Sequence, residues 1–119
     1  MRDFRELKVW EKAHELTLAV YRISKAFPKE ELFGLTNQSR RASASIAANI
    51  AEGCCRSGRA DFARFLHMAM SSATELDYHL ILARDLNLLN TTDYEQLARS
   101  VTEVKRMLAS FIQKLAVQD

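Results

Sequence analysis

The sequence predicts an all-α protein, an antiparallel up-down-up-down four-helix bundle, and three observations carry that prediction. Apolar residues recur alternately four and three positions apart over long segments, the spacing of one helix face. No segment alternates with period two, so no strand is expected. One Pro and three Gly in 119 residues leave few places for the chain to turn. A chain of this length is expected to form one domain, residues 1–119, with a core that needs no metal or disulfide staple.

The first helix is expected over about 7–27. Val9, Ala13, Leu16, Val20, Ile23 and Phe27 form its seam, and Pro28 stops it because the residue before a proline is pushed out of the α region. "KEELFG" reads as a helical turn closed by Gly34. The second helix, about 36–55, takes Thr36 as its N-cap. "RSGR" breaks the chain, and Ser57 is placed to cap a third helix over about 58–88. Phe62, Leu66, Ala69, Ala73, Leu76, Leu80 and Ala83 are its seam. "NLLNTT" is the next turn. Thr92 with Glu95 has the form of a capping box for the last helix, about 92–117, whose seam runs through Tyr94, Leu97, Val101, Val104, Leu108, Phe111 and Leu115. Four helices joined by short loops pack most simply with neighbours antiparallel.

Composition narrows the function classes. Apolar residues at 48% and charged residues at 27% are ordinary for a globular protein. The first residues are charged throughout, unlike a signal peptide, and no apolar run approaches the ~20 residues of a membrane span. A bacterial-type cytoplasm without membrane contact is the expected location. Cys54 and Cys55 are adjacent, a spacing that rarely bridges without strain, so two thiols are expected and no zinc site. Net charge is only +2, but its distribution is uneven. Arg40, Arg41, Arg56, Arg59 and Arg64 crowd the middle against Glu52 and Asp61, whereas the far half is acidic.

The second helix is unusual. At about 100° per residue, Gln38, Arg41, Ser45, Asn49, Glu52 and Arg56 fall in one polar strip. Leu35, Ala42, Ile46, Ile50 and Gly53 lie beside it, facing the core, and the opposite side carries Arg40, Ala44, Ala47 and Ala51. So many small residues imply a helix crowded on more than one side, by other helices, a second subunit, or both. Polar groups near packed surfaces must find partners. Gln38, Asn49 and Glu52 therefore read as a structural polar network, and the arginines either as part of it or as a phosphate site. A second stripe of Trp10, His14, Thr17 and Tyr21 suits a subunit or partner contact, or simply covers the core edge.

Tests for catalysis and metals come back negative. Glu11 and His14 spell Glu-x-x-His, but a di-iron bundle needs a second such pair and two further inward carboxylates, and neither His67 nor His79 supplies the pair. Arg59 and Arg64 have the wrong spacing to His67 for helical ribonucleases of the Arg–His type. No phosphate loop, nucleophile elbow or Cys–His pair is present. No catalytic residue, metal ligand or cofactor is expected, and the protein is read as a non-enzyme.

"LKVWEKAHELTLAVYRISKAFPKEELFGLTNQSRRASASIAANIAEG" followed by "FARFLHMAMSSATELDYHL" resembles the four-helix-bundle family encoded in intervening sequences of bacterial 23S rRNA genes. That family is related to the accessory variability protein of diversity-generating retroelements. The resemblance runs from about Phe4 to Leu89; the last helix matches only in pattern. The chain departs from it at Met70 and Ser71, where members often carry a basic residue and Gly-Ser, and at Cys54-Cys55. The resemblance implies a ring, typically a homopentamer, with a basic surface. It also implies that the retroelement members bind nucleic acid and a reverse transcriptase. By motif, Arg40, Arg41, Asn49, Glu52 and Arg56 are the residues carried over. The expected function is an oligomeric, non-enzymatic RNA- or DNA-binding accessory protein with little sequence specificity. The alternative is a scaffold that docks a partner such as a reverse transcriptase.

Overall fold

The computed structural model describes residues 3–117. Four helices carry the fold: α1 (Lys8–Ser24), α2 (Asn37–Cys54), α3 (Arg59–Asp85) and α4 (Thr91–Val117), with no strand among the described residues. Each packs on two neighbours, α1 on α2 and α4, α3 on α2 and α4, in a bundle 48 × 22 × 20 Å. This is the expected four-helix architecture.

The seams form the core. All seven expected positions of α3 are buried, as are Val9, Ala13, Leu16 and Val20 of α1 and Leu97, Val101, Val104, Leu108 and Leu115 of α4. Ile23, Phe27, Tyr94 and Phe111 are half-buried at its edge. On α2, Ala42, Ile46, Ile50 and Gly53 face inward as expected. Ser39 on the same face, and Ser43 and Ala47 up to about a quarter-turn round, are buried as well. Helix α2 is therefore crowded on two sides within the chain. On the α1 side, the Thr17 hydroxyl donates to the Ser43 carbonyl at 3.0 Å and its own Ala13 carbonyl at 3.1 Å. On the α3 side, the Ser45 and Ser72 hydroxyls lie 2.9 Å apart. A Cβ on Gly53 would stand 2.8 Å from the Phe62 ring, so only glycine lets the two helices approach this closely.

The helix ends differ from expectation in ways that capping explains. Helix α1 ends at Ser24, because bonds from Ala26 to Ile23 and from Phe27 to Ser24 tighten the chain before Pro28. Thr36 is not an N-cap: it already has helical dihedrals, and its buried hydroxyl meets no partner among the described residues. The Glu31 carboxylate accepts from the Leu35 N–H instead, across the kink at Gly34. Ser57 does not cap α3, which starts one residue later, with Gly58 at the N-cap position and its carbonyl accepting from Phe62. The Thr92–Glu95 box is replaced by a side-chain cap from Asn90, two residues earlier. Asn90 Oδ1 accepts from the Asp93 N–H at 2.8 Å, and the Asn90 amide donates to the Asp93 carboxylate at 3.2 Å. At the end of α3, Asn87 (φ 62°) takes the left-handed position of a Schellman motif. The Leu88 N–H there reaches the Ala83 carbonyl, and the Asn87 N–H reaches that of Arg84.

Candidate nucleic-acid interface

The five central arginines fall into two groups separated by most of the length of α2, about 20 Å at 1.5 Å per residue. Arg40, half-buried, is committed to α1. Its Nε donates to Ser24 Oγ at 2.8 Å, a terminal nitrogen reaches the Tyr21 carbonyl at 3.4 Å, and its guanidinium lies 4.9 Å from the Tyr21 ring centroid. A cation at these last carbonyls is favoured by the helix dipole, so Arg40 ties α2 to the end of α1. Arg41, one residue on, points to the other side. It is exposed, makes no hydrogen bond or ion pair among the described residues, and lines an open groove with Gln38, Ser45, Ser72 and Glu75.

The second group surrounds the α2–α3 turn. Arg64 bonds Asp61 at 2.9 Å, and Arg56 reaches Glu52 at 3.4 Å and Asp61 at 3.9 Å. Both guanidinium carbons sit 4.6 Å from the centroid of buried Phe65. Arg59 is exposed in the first turn of α3 beside them. Two carboxylates thus answer Arg56 and Arg64, and cation–π contact orders them further. These pairs are exposed and contribute little stability, but they cancel charge locally.

The residues read as a polar network do not meet in one cluster. The Asn49 amide donates to the Ser45 carbonyl at 2.9 Å and hydroxyl at 3.0 Å, which joins it to Ser72 across the helix pair. Glu52 does pair with an arginine, Arg56, but at the surface and apart from Asn49, and Gln38 is exposed over the groove of Arg41. On α1, Trp10 stacks on His14 at 5.0 Å and 9°, with Phe4 edge-on against Trp10 at 5.0 Å. Tyr21 is exposed beneath Arg40.

The residues tested for metal chemistry are dispersed. Glu11 pairs with Lys8 at 3.2 Å and not with His14, and no three His, Cys, Asp or Glu side chains among the described residues are grouped to hold a metal. His79 is buried; its Nε2 lies 3.6 Å from Glu75, and its Nδ1 has no hydrogen-bond partner among the described residues. Cys54 is buried and Cys55 exposed, with no disulfide between them. No helix is long and apolar enough to cross a membrane among the described residues.

Sequence reasoning missed a second set of cations. Arg22 of α1 and Arg99, Arg106 and Lys114 of α4 have no carboxylate partner among the described residues; Arg22, Arg106 and Lys114 line the furrow between these helices, and Arg99 lies on the outer face of α4 beside it. The signal was in the spacing: Arg99, Arg106 and Lys114 lie seven and eight residues apart, on one stripe of α4. It was hidden because the cluster of arginines was judged by density along the chain, without regard to which of them a carboxylate neutralises.

A family model described as 23S rRNA-intervening sequence protein matches residues 5–110. The structure is similar to that of a protein of unknown function from the S23 ribosomal protein family of Bacteroides thetaiotaomicron. The TM-score is 0.82 at 30% identity, over 88% of this chain and 95% of that one. No curated protein matches the sequence.

Proposed function

This chain belongs to the 23S rRNA-intervening sequence protein family, and from that premise we propose that it is a non-enzymatic, homo-oligomeric accessory protein that binds nucleic acid through phosphate contacts. One observation carries the reading: positive charge remains uncompensated on the surface, at Arg22, Arg41, Arg99, Arg106 and Lys114, along open grooves. Phosphates neutralised by such side chains release condensed counterions, and that release drives binding without reading sequence. Of the exposed rings, Phe33 and Tyr78 lie at the α1–α2 connection and on α3, away from most of these cations, and Tyr21 on α1 is already faced by the Arg40 guanidinium at 4.9 Å, so base stacking contributes little. A few contacts per chain bind weakly. Several chains in a ring would raise the affinity through effective concentration, which gives the oligomer its role.

The test pairs mass with competition. Light scattering of the purified protein is expected to give a multiple of the chain mass, five chains in the family's typical ring. Unlabelled RNAs of equal length and unrelated sequence are expected to compete equally, within about threefold, a gap of well under 1 kcal/mol. A chain-sized mass would remove the avidity argument. A single preferred sequence would replace phosphate contact with base readout.

A second reading, a scaffold for a protein partner such as a reverse transcriptase, is favoured by Phe33, which is 87% exposed with half-exposed Leu32 beside it. A partner retained after nuclease treatment and lost in Phe33→Ser would support it.

A further inference from the structure

We infer that the nucleic-acid strand lies along the furrow between α1 and α4, and that the arginines at the α2–α3 turn, neutralised within the chain, do not hold it. This assignment rests on the binding reading above and says where the contact is made.

Two stripes line the furrow. On α4, Arg99, Glu103, Arg106, Ser110 and Lys114 fall within a narrow arc of the helical wheel, and on α1 so do Lys8, Lys12, Glu15, Ala19 and Arg22. The helices run antiparallel with the stripes facing each other, as the Lys12–Glu103 pair at 3.8 Å shows. Lys8 and Glu11 pair as well, at 3.2 Å. Of the carboxylates lining the furrow, Glu103 is therefore held by Lys12, and Glu15 stands alone against Arg22, Arg106 and Lys114, with Arg99 on the α4 rim beside them. The end bounded by Leu7, Lys8, Arg106 and Lys114 is a cavity of about 550 Å³ with no carboxylate in its wall.

The layout fits a polynucleotide better than a compact anion. From Arg99 to Lys114 the cations extend about 22 Å along α4, at 1.5 Å per residue. A strand with one charge per ~3.4 Å covers that length with about six phosphates. Between the cations lie Ser100, Thr102 and Ser110, with Gln96 one turn before Arg99, hydrogen-bonding side chains of the kind that meet phosphate and sugar oxygens without selecting a base. At the α2–α3 turn the arrangement is the reverse. Arg56 and Arg64 are held by Asp61, Glu52 and the Phe65 ring, and a phosphate would have to displace those contacts.

The probe is a fluorescein-labelled, mixed-sequence single-stranded RNA of 30 nucleotides, read by anisotropy at low salt. The variant R22Q/R99Q/R106Q/K114Q is expected to weaken binding by about 30-fold or more and to flatten its salt dependence, because several phosphate contacts are lost. Arg64→Gln is expected to stay within about threefold of wild type. Circular dichroism shows whether each variant keeps its helices; the four changed side chains are at the surface. Wild-type affinity in the quadruple variant, or an equal loss in Arg64→Gln, would overturn the assignment alone. Failure of the wild-type protein to bind RNA or DNA would overturn the functional reading and this one with it. Polyglutamate bound as tightly as RNA would make the furrow a site for acidic protein segments, and would also overturn it.

Discussion

Gly53→Val is expected to destabilise the protein by about 3 kcal/mol or more, the upper end for forced overpacking of a core. Even a single added carbon would lie 2.8 Å from Phe62 Cδ1 and 3.0 Å from Phe65 Cβ. The Phe62 ring cannot swing aside freely, since it packs edge-on against Phe111 at 5.3 Å. Phe65 Cβ is fixed to its own backbone, so relief requires α2 and α3 to separate. Gly53→Ala introduces the same first contact, but alanine's helix propensity returns about 1 kcal/mol, so a smaller loss is expected. Thermal melts of both variants check the order. Equal or greater stability in Gly53→Val would mean that the two helices are not held at this distance. The same substitution is expected to shift Phe65 and loosen the two arginines that lie over it.

Ile46→Ala is expected to cost about 3–4 kcal/mol, within the range for truncating a fully buried aliphatic side chain. Ile46 is wholly inaccessible at the centre of α2, where the flanking Ala42, Ser43 and Ala47 are too small to fill the space it would leave. Against a total stability of about 5–15 kcal/mol for a domain, such a loss moves a urea midpoint far toward zero. Gln38→Ala, exposed on the same helix, is the control and is expected to change stability by less than about 0.5 kcal/mol. A small effect at Ile46 would place the core elsewhere.

The fold was legible because burial follows a period that the residues themselves display. Leu66, Ala69, Ala73 and Leu76 are buried for the same reason that their spacing is noticeable. Crowding of α2 was also readable, from the small residues Ala44, Ala47 and Ala51 opposite the polar strip, although only the structure shows that Ser39 and Ser43 are buried and that α1 occupies that side. Helix ends were less legible. A cap depends on which residue is the last non-helical one, and a shift of one or two positions exchanges Ser57 for Gly58 or Thr92 for Asn90. Thr36 shows the limit most clearly: Glu31, five residues earlier, takes up the N–H of Leu35 across a kink that no periodicity signals.

Charge was the least legible property. Arg64 three residues after Asp61 is a visible pair, but the second use of Asp61 by Arg56 depends on how the turn folds back. Arg40 and Arg41 are neighbours in sequence with opposite roles, one bonded to the end of α1 and the other over an open groove. The unneutralised stripe formed by Arg22 with Arg99, Arg106 and Lys114 joins the first helix to the last, and only the closed bundle brings those together.

Phosphate contact is measured most directly by the salt dependence of RNA affinity. Anisotropy titrations of the 30-nucleotide RNA across a series from low to physiological salt give log K against log salt. Each contact to a single strand contributes a slope of about −0.7, so at least three contacts predict a slope of about −2 or steeper. The oligomer multiplies that value by the number of chains engaged. Binding that holds constant across the series would contradict the account.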